Sequence, residues 1–435
     1  MRNYCSGSGF TKLLVLTILL LPVTTVLADG NVISRRLQEL ADTQRQAMAQ
    51  KYGCPVRSIN MMIATEHNRY FVSSADPGYE TTAGTYFRFA SNTKTFTGAS
   101  VLLLEQMGLL NIDDKIVSPM PGSDIPYVPD SQPWNIPYKD QITIRQLLGH
   151  TAGIFDVDNT PLPDQETPYI YQVLISDPDH QFTADELVGV LSEYQRSSFP
   201  PGTDYSYSNT GCTILGEIVA RVYSRYTGTA KTLTDFLNEQ FIGPDRLNLT
   251  TLHFPNVGTD KTLPEPSCIG YCFDGEEIIE AGPLNVCANV AEGNGYGTLD
   301  DLTTWVRSLM TGKTQLNRMQ VKKMKTDVSE FSSSYALLCM HSAKLGYGHT
   351  GAFSSGFMSL MFYDPEDRVS VVLYTPLINI SDDYTHLNLE MNDLEEIGSQ
   401  AKKIVNAYPD FYPQCWPWFL LVVTGGLKMG SLLKG

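Results

Sequence analysis

Ser91 and Lys94 stand three residues apart, with a hydroxyl that can attack a carbonyl and an amine that can handle its proton. Residues i and i+3 share one face of a helix, so the amine reaches the hydroxyl if a helix begins there. The Ser-x-x-Lys pattern also occurs at Ser399 to Lys402 and at Ser431 to Lys434, so the pattern alone decides nothing. Context separates the three. Ser91 follows the β-prone Tyr86-Phe87-Arg88-Phe89-Ala90 and precedes Phe96, Ala99, Leu103 and Met107, which recur at helical steps. It therefore lies where a strand or loop enters a helix, beside unpaired backbone N–H groups and the positive end of the helix dipole. Ser399 reads as a polar helix face and Ser431 as a terminal tail.

Two further segments add to the chemistry. Tyr207-Ser208-Asn209 follows the Pro200-Pro201-Gly202 turn and precedes an amphipathic pattern through Ile214, Ile218 and Val222. A tyrosine beside an ammonium is expected to have its pKa lowered, which would suit it to shuttle protons. The Asn209 amide can donate to an acyl carbonyl or accept from the lysine. His349-Thr350-Gly351-Ala352 reads as a strand followed by a hairpin across Asp364 to Arg368. Gly351 there would allow another backbone to come close. Each segment alone also fits a plain structural role: a helix cap, a packed tyrosine, a half-buried strand histidine.

Taken in order, the three segments resemble the serine β-lactamase and penicillin-binding-protein superfamily, in its class C-like branch with D-alanyl-D-alanine carboxypeptidases, esterases and D-aminopeptidases. Ile142-Thr143-Ile144-Arg145-Gln146-Leu147-Leu148-Gly149-His150-Thr151-Ala152-Gly153 is similar to the helix and turn between the family's first two motifs, and Thr143 with Gln146 forms a capping-box pattern in its own right. Gly293 to Leu302 is similar to its glycine-rich turn before a late helix. The resemblance spans roughly residues 33–405. It implies acyl transfer, with Ser91 as nucleophile, Lys94 and Tyr207 moving the proton, and Asn209 holding the acyl amide or the lysine. His349, Thr350, Gly351 and Ala352 would bind substrate, and the N–H groups of Ser91 and Ala352 would form the oxyanion hole. It requires no metal and no organic cofactor. His349 stands where class C β-lactamases carry lysine, which points toward the carboxypeptidase and esterase branches: an imidazole is only partly charged near neutrality.

The elements that must position these residues follow from the remaining pattern. A helix is expected over 33–48, strands at 59–64, 70–73, 335–340 and within 347–374, and a last helix near 394–407. Between them, residues 91–289 read as helices and long loops. The expected fold is α/β (α+β) and two-lobed, of the β-lactamase/transpeptidase-like type. An antiparallel sheet completed by both ends of the chain is flanked by helices, with a mainly helical lobe inserted. The sheet lobe covers about 29–90 and 290–407, the helical lobe about 91–289. Residues 156–198, rich in Pro, Asp and Tyr, would cover the cleft, and Asp156-Val157-Asp158-Asn159 reads as a solvated loop without the spacing of a calcium site.

Residues 1–28 read as a cleavable signal peptide, with Arg2 and Lys12 before an apolar run to Leu27 and small residues at Val26 and Ala28. Export to a secreted or periplasmic location is expected. Losing Arg2 and Lys12 takes the formal charge from −16 to −18. Nucleic acid and anionic membrane surfaces are poor partners for such a chain. The expected partner is a small peptide or ester, with cell-wall peptide among the candidates. In the apolar tail 408–435 the run Trp416 to Val423 is too short to span a bilayer, so packing on the protein or a weak membrane contact is expected. Seven cysteines follow residue 28, and one local bridge is expected among Cys268, Cys272 and Cys287. No Gly-x-Ser-x-Gly elbow or His-Glu-x-x-His helix offers another chemistry, and Gly293, Gly295 and Gly297 do not fit the Gly-x-Gly-x-x-Gly turn of a dinucleotide site. The alternatives are a true class C-like β-lactamase and a catalytically silent peptidoglycan-binding or scaffold protein.

Overall fold

Ser58–Ala64 and Val369–Thr375 are buried along their whole length and send alternate side chains into two different cores, the signature of central strands covered on both faces. The computed structural model describes residues 32–353, 356–381 and 385–408. The expected leader and nearly all of the tail fall outside them. In chain order the elements are α1 (32–52), β1 (Ser58–Ala64), β2 (Arg69–Ala75), β3 (Phe87–Arg88), α2 (Lys94–Gln106), α3 (Ile144–Leu148), α4 (Tyr169–Ser176), α5 (Ala184–Tyr194), α6 (Asn209–Thr227) and α7 (Leu233–Leu237). Then come β4 (Tyr271–Phe273), β5 (Ile278–Glu280), β6 (Tyr296–Gly297), α8 (Leu299–Met310), α9 (Arg318–Thr326), β7 (Met340–Ser342), β8 (Gly346–Ala352), β9 (Met358–Asp364), β10 (Val369–Thr375), β11 (Leu377–Asn379) and α10 (Thr385–Asn406).

The main sheet is antiparallel with the order β2-β1-β10-β9-β8-β7. Early and late segments meet in its centre, where Asn60 pairs with Tyr374 and Met62 with Val372. On one face Ile59, Met61, Leu360, Phe362, Val371 and Leu373 pack against Ile33, Leu37 and Ala41 of α1 and Leu394, Ile397 and Ala401 of α10. On the other face Met62, Met361, Val372 and Tyr374 join α8, α2 and α6 in one core. The mixed architecture, an antiparallel sheet between helices, is the one expected.

The local signals hold where they rest on chemistry. Thr143 accepts from the Gln146 N–H (3.2 Å), and the Gln146 side chain accepts from the Thr143 N–H (2.8 Å), completing the capping box at α3. Other expectations change. Residues 335–339 form no strand. Leu338 is left-handed (φ +49°) and its N–H donates to Leu148 O, which docks this segment on the end of α3. α10 begins at Thr385 rather than near 394, because in its early turns Leu389 faces outward and Glu390 inward, reversing the expected pattern. The stretch assigned to the helical lobe contains the β4–β5 hairpin. β4 pairs in parallel with β11, and Tyr271 and Cys272 join the sheet-side core.

Candidate active site

The chain reaches Ser91 through a strained turn. β3 pairs with β6, Ala90 then adopts φ +49°, and a 3-10 turn over Ala90–Thr93 leads into α2. A left-handed alanine costs on the order of 1–3 kcal/mol and persists only where its surroundings hold it. Here Asn92 Nδ2 donates to Phe89 O (2.9 Å) and to Ser359 Oγ (2.8 Å), and the Ser359 hydroxyl donates to Phe89 O (3.1 Å). β8 lies against the same turn. A Cβ on Gly351 would sit 2.4 Å from Phe89 O and 2.8 Å from Ser359 Oγ, so only glycine permits this approach. Ser91 itself remains partly open to solvent, in the turn just before α2.

Lys94, the first residue of α2, is fully buried. Its Nζ lies 3.1 Å from Ser91 Oγ, 2.7 Å from Asn209 Oδ1, 3.1 Å from Glu292 O and 3.3 Å from Glu292 Oε2. Burial disfavours its charge, but the surrounding groups, the facing Glu292 carboxyl among them, outweigh burial and hold its pKa above the ordinary value. The Tyr207 ring lies under the ammonium at 4.7 Å, and its hydroxyl interacts with both Lys94 and Ser91. Burial pushes Tyr207 up to about 12, and those two partners only partly offset it. The expectation of a lowered tyrosine pKa is therefore corrected: the phenol is neutral at rest because desolvation exceeds the pull of the ammonium.

The structure brings Ser91, Lys94, Tyr207 and Asn209 into one cluster and sets Gly351 of β8 against the Ser91 turn, with Thr350 and Ala352 on the same strand partly open to solvent. His349 is enclosed. It is buried, its Nε2 faces the Tyr335 hydroxyl (2.9 Å), and its Nδ1 lies 2.5 Å from Thr350 O. Burial, then the Lys94 charge, lowers its pKa to about 3. A neutral ring with both nitrogens engaged offers no charge to a substrate carboxylate.

The Beta-lactamase family profile matches residues 61–377. The chain belongs to the Beta-lactamase family. Among known relatives, this family member is 22% identical over 359 residues to Protein flp of Staphylococcus aureus (strain MW2), an alignment covering 78% of this chain and 63% of that protein. Its fold is similar to a D-amino acid amidase from Ochrobactrum anthropi SV3 (TM-score 0.66, 21% identity, 87% of this chain and 99% of the other). It is also similar to a D-stereospecific amidohydrolase from Streptomyces sp. (TM-score 0.62, 23% identity, 78% and 94%).

Several residues around the site carried no recognisable signal in the sequence. His150, in the segment noted before Tyr207, brackets that tyrosine: its carbonyl accepts from the Ser206 N–H (3.0 Å) and its Nδ1 from the Ser208 N–H (3.3 Å). Its Nε2 lies 3.1 Å from the Tyr335 hydroxyl, which continues to His349. The Asp156–Asn159 segment is no solvated loop. Asp156 and Asp158 are buried, and the Val157 N–H donates to Thr210 Oγ1 (3.0 Å), which pins the start of α6. Glu292 immediately precedes the glycine-rich turn that was singled out. The cysteine expectation is also corrected: no bridge joins Cys268, Cys272 and Cys287 to one another.

Proposed function

We propose that this Beta-lactamase-family chain is a serine hydrolase that forms an acyl-enzyme at Ser91 from an amide or ester. The observation that carries the reading is the 3.1 Å contact between a partly open Ser91 hydroxyl and a buried Lys94 ammonium that is itself fixed by Asn209 and Glu292. As Ser91 Oγ bonds to the acyl carbon, its proton passes to the Tyr207 oxygen while the Tyr207 proton passes to the leaving amine or alkoxide. Lys94 stabilises the negative charge shared between the two oxygens. The N–H groups of Ser91 and Ala352 receive the carbonyl oxygen, in the role the family resemblance implies, and water then hydrolyses the ester.

The neutral, enclosed His349 favours acyl donors that need no cation at that position. Simple esters and amides come first, and peptides ending in D-alanine, whose free carboxylate needs another partner, come second. The names of the two solved relatives make D-amino acid amides the first substrates to try. A true β-lactamase is the less favoured reading for the same reason. The test is covalent labelling by a fluorescent phosphonate, read by intact mass. Wild-type protein and Ser399→Ala should gain one adduct and Ser91→Ala none. An adduct on Ser91→Ala, or rapid cephalosporin hydrolysis with amides and esters untouched, overturns the reading.

A further inference from the structure

Three carboxyl groups converge on Lys94 from two segments: Asp156 and Asp158 from the loop after α3, and Glu292 from the turn before β6. The other titratable groups facing this cluster are neutral. Burial pushes Tyr207 and Cys212 up to about 12, and burial together with the Lys94 charge lowers His349 to about 3 and His150 well below its ordinary value. Three full negative charges against one ammonium, all out of water, would be a costly arrangement.

The supply of hydrogen-bond donors separates the three carboxyls. Asp156 accepts from the Asp158 N–H at Oδ1 (3.1 Å) and from Asn159 Nδ2 at Oδ2 (2.9 Å). Glu292 accepts from Asn289 Nδ2 at Oε1 (2.6 Å) and from Lys94 at Oε2 (3.3 Å). Asp158 is only 3% exposed, and neither of its oxygens meets a donor among the described residues. The Glu292 carboxyl is the neighbouring charge that bears on it most strongly. Two ionised carboxylates cannot bond to each other, whereas an acid and a carboxylate can.

We infer that Asp158 carries a proton and donates it to Glu292, so that the pair presents Lys94 with one counter-ion rather than two. Asp158 is then a positioning residue: it fixes the Glu292 carboxylate and never contacts substrate. Desolvation supports the same assignment, since it raises Asp158 well above the usual carboxylate range. The inference rests on the reading that Lys94 serves Ser91 as a charged group.

Infrared difference spectroscopy and a pH profile test it together. At pH 7 the wild type minus Asp158→Asn spectrum should show the carbonyl band of a protonated carboxyl, and the same band should persist in Ser91→Ala, which cannot be acylated. Glu292→Gln removes the counter-ion, so kcat/KM should fall at least about tenfold between pH 7 and 9 as Lys94 titrates within that range. Asp158→Asn, a neutral isostere, should keep the wild-type shape of the profile. Absence of the band, or an alkaline fall in Asp158→Asn matching that of Glu292→Gln, overturns the inference. Should Glu292→Gln fail to fold, the band and the Asp158→Asn profile decide alone. Loss of labelling with the band intact would instead count against the acyl-enzyme reading.

Discussion

Tyr207 lies between a serine and a buried ammonium, and its own burial keeps it protonated. A neutral phenol can work only by giving up one proton as it receives another, so its hydroxyl is needed in the step itself. Tyr207→Phe should therefore lower kcat by about 10²–10⁴ with little change in KM. Steady-state kinetics on a nitrophenyl ester would measure this, and a variant that kept most of its turnover would reduce Tyr207 to a packing residue. At this scale the sequence showed a good deal. Ser91 stood out by its strand-to-helix context, and Asn209 by its place at the head of an amphipathic pattern. The electrostatics were hidden. Whether a tyrosine beside a lysine goes up or down depends on how much water is left, and burial at Tyr207 depends on His150, Tyr335 and His349, which come from three other parts of the chain. Asp158 and Glu292 were missed because nothing local distinguishes a buried carboxyl from a solvated one.

β8 and the Ser91 turn form a unit held by backbone proximity. Gly351 admits Phe89 O at a distance no side chain would tolerate, while Asn92 and Ser359 tie the turn to β9. Gly351→Ala should push β8 away from the turn, costing about 1–3 kcal/mol as other overpacked sites do. The loss of turnover should exceed what that destabilisation explains, because the Ser91–Lys94 geometry is set by the turn. Thermal melts beside kinetics on the same samples separate the two; activity falling only in proportion to folded fraction would disprove the link. Elements with strong periodicity or a specific cap were legible: α1, α2, β1, β9, β10 and the Thr143–Gln146 box. Those decided by distant partners were not. β4 and β5 are three residues each and exist because β11 offers an edge, and residues 335–339 bend because they dock on α3.

For the molecule as a whole, the buried histidines give folding a pH dependence. His349 titrates near 6.5 when unfolded and near 3 when folded, and His150 is also lowered. The stability linked to them is fully present above about pH 6.5 and is lost as pH falls toward the folded values, at up to about 1.4 kcal/mol per pH unit for each. Asp158 acts in the opposite sense, since a carboxyl raised in the fold favours folding at low pH. The histidine share is thus read as a difference. His349→Asn keeps an amide near Thr350 O and should lose less melting temperature than wild type between pH 6.5 and 5. Equal losses would mean that His349 does not stay neutral in the fold. Finally, the unbridged cysteines have a practical use. Burial pushes Cys54, Cys212 and Cys339 up to about 12, so an alkylating reagent finds almost no thiolate at these three positions in the native protein. Cys54 reports on the core between α1, α10 and the sheet, Cys212 and Cys339 on the core around α2 and α6. The order in which these sulfurs become reactive under mild denaturant would reveal which half of the protein opens first, without any engineered label.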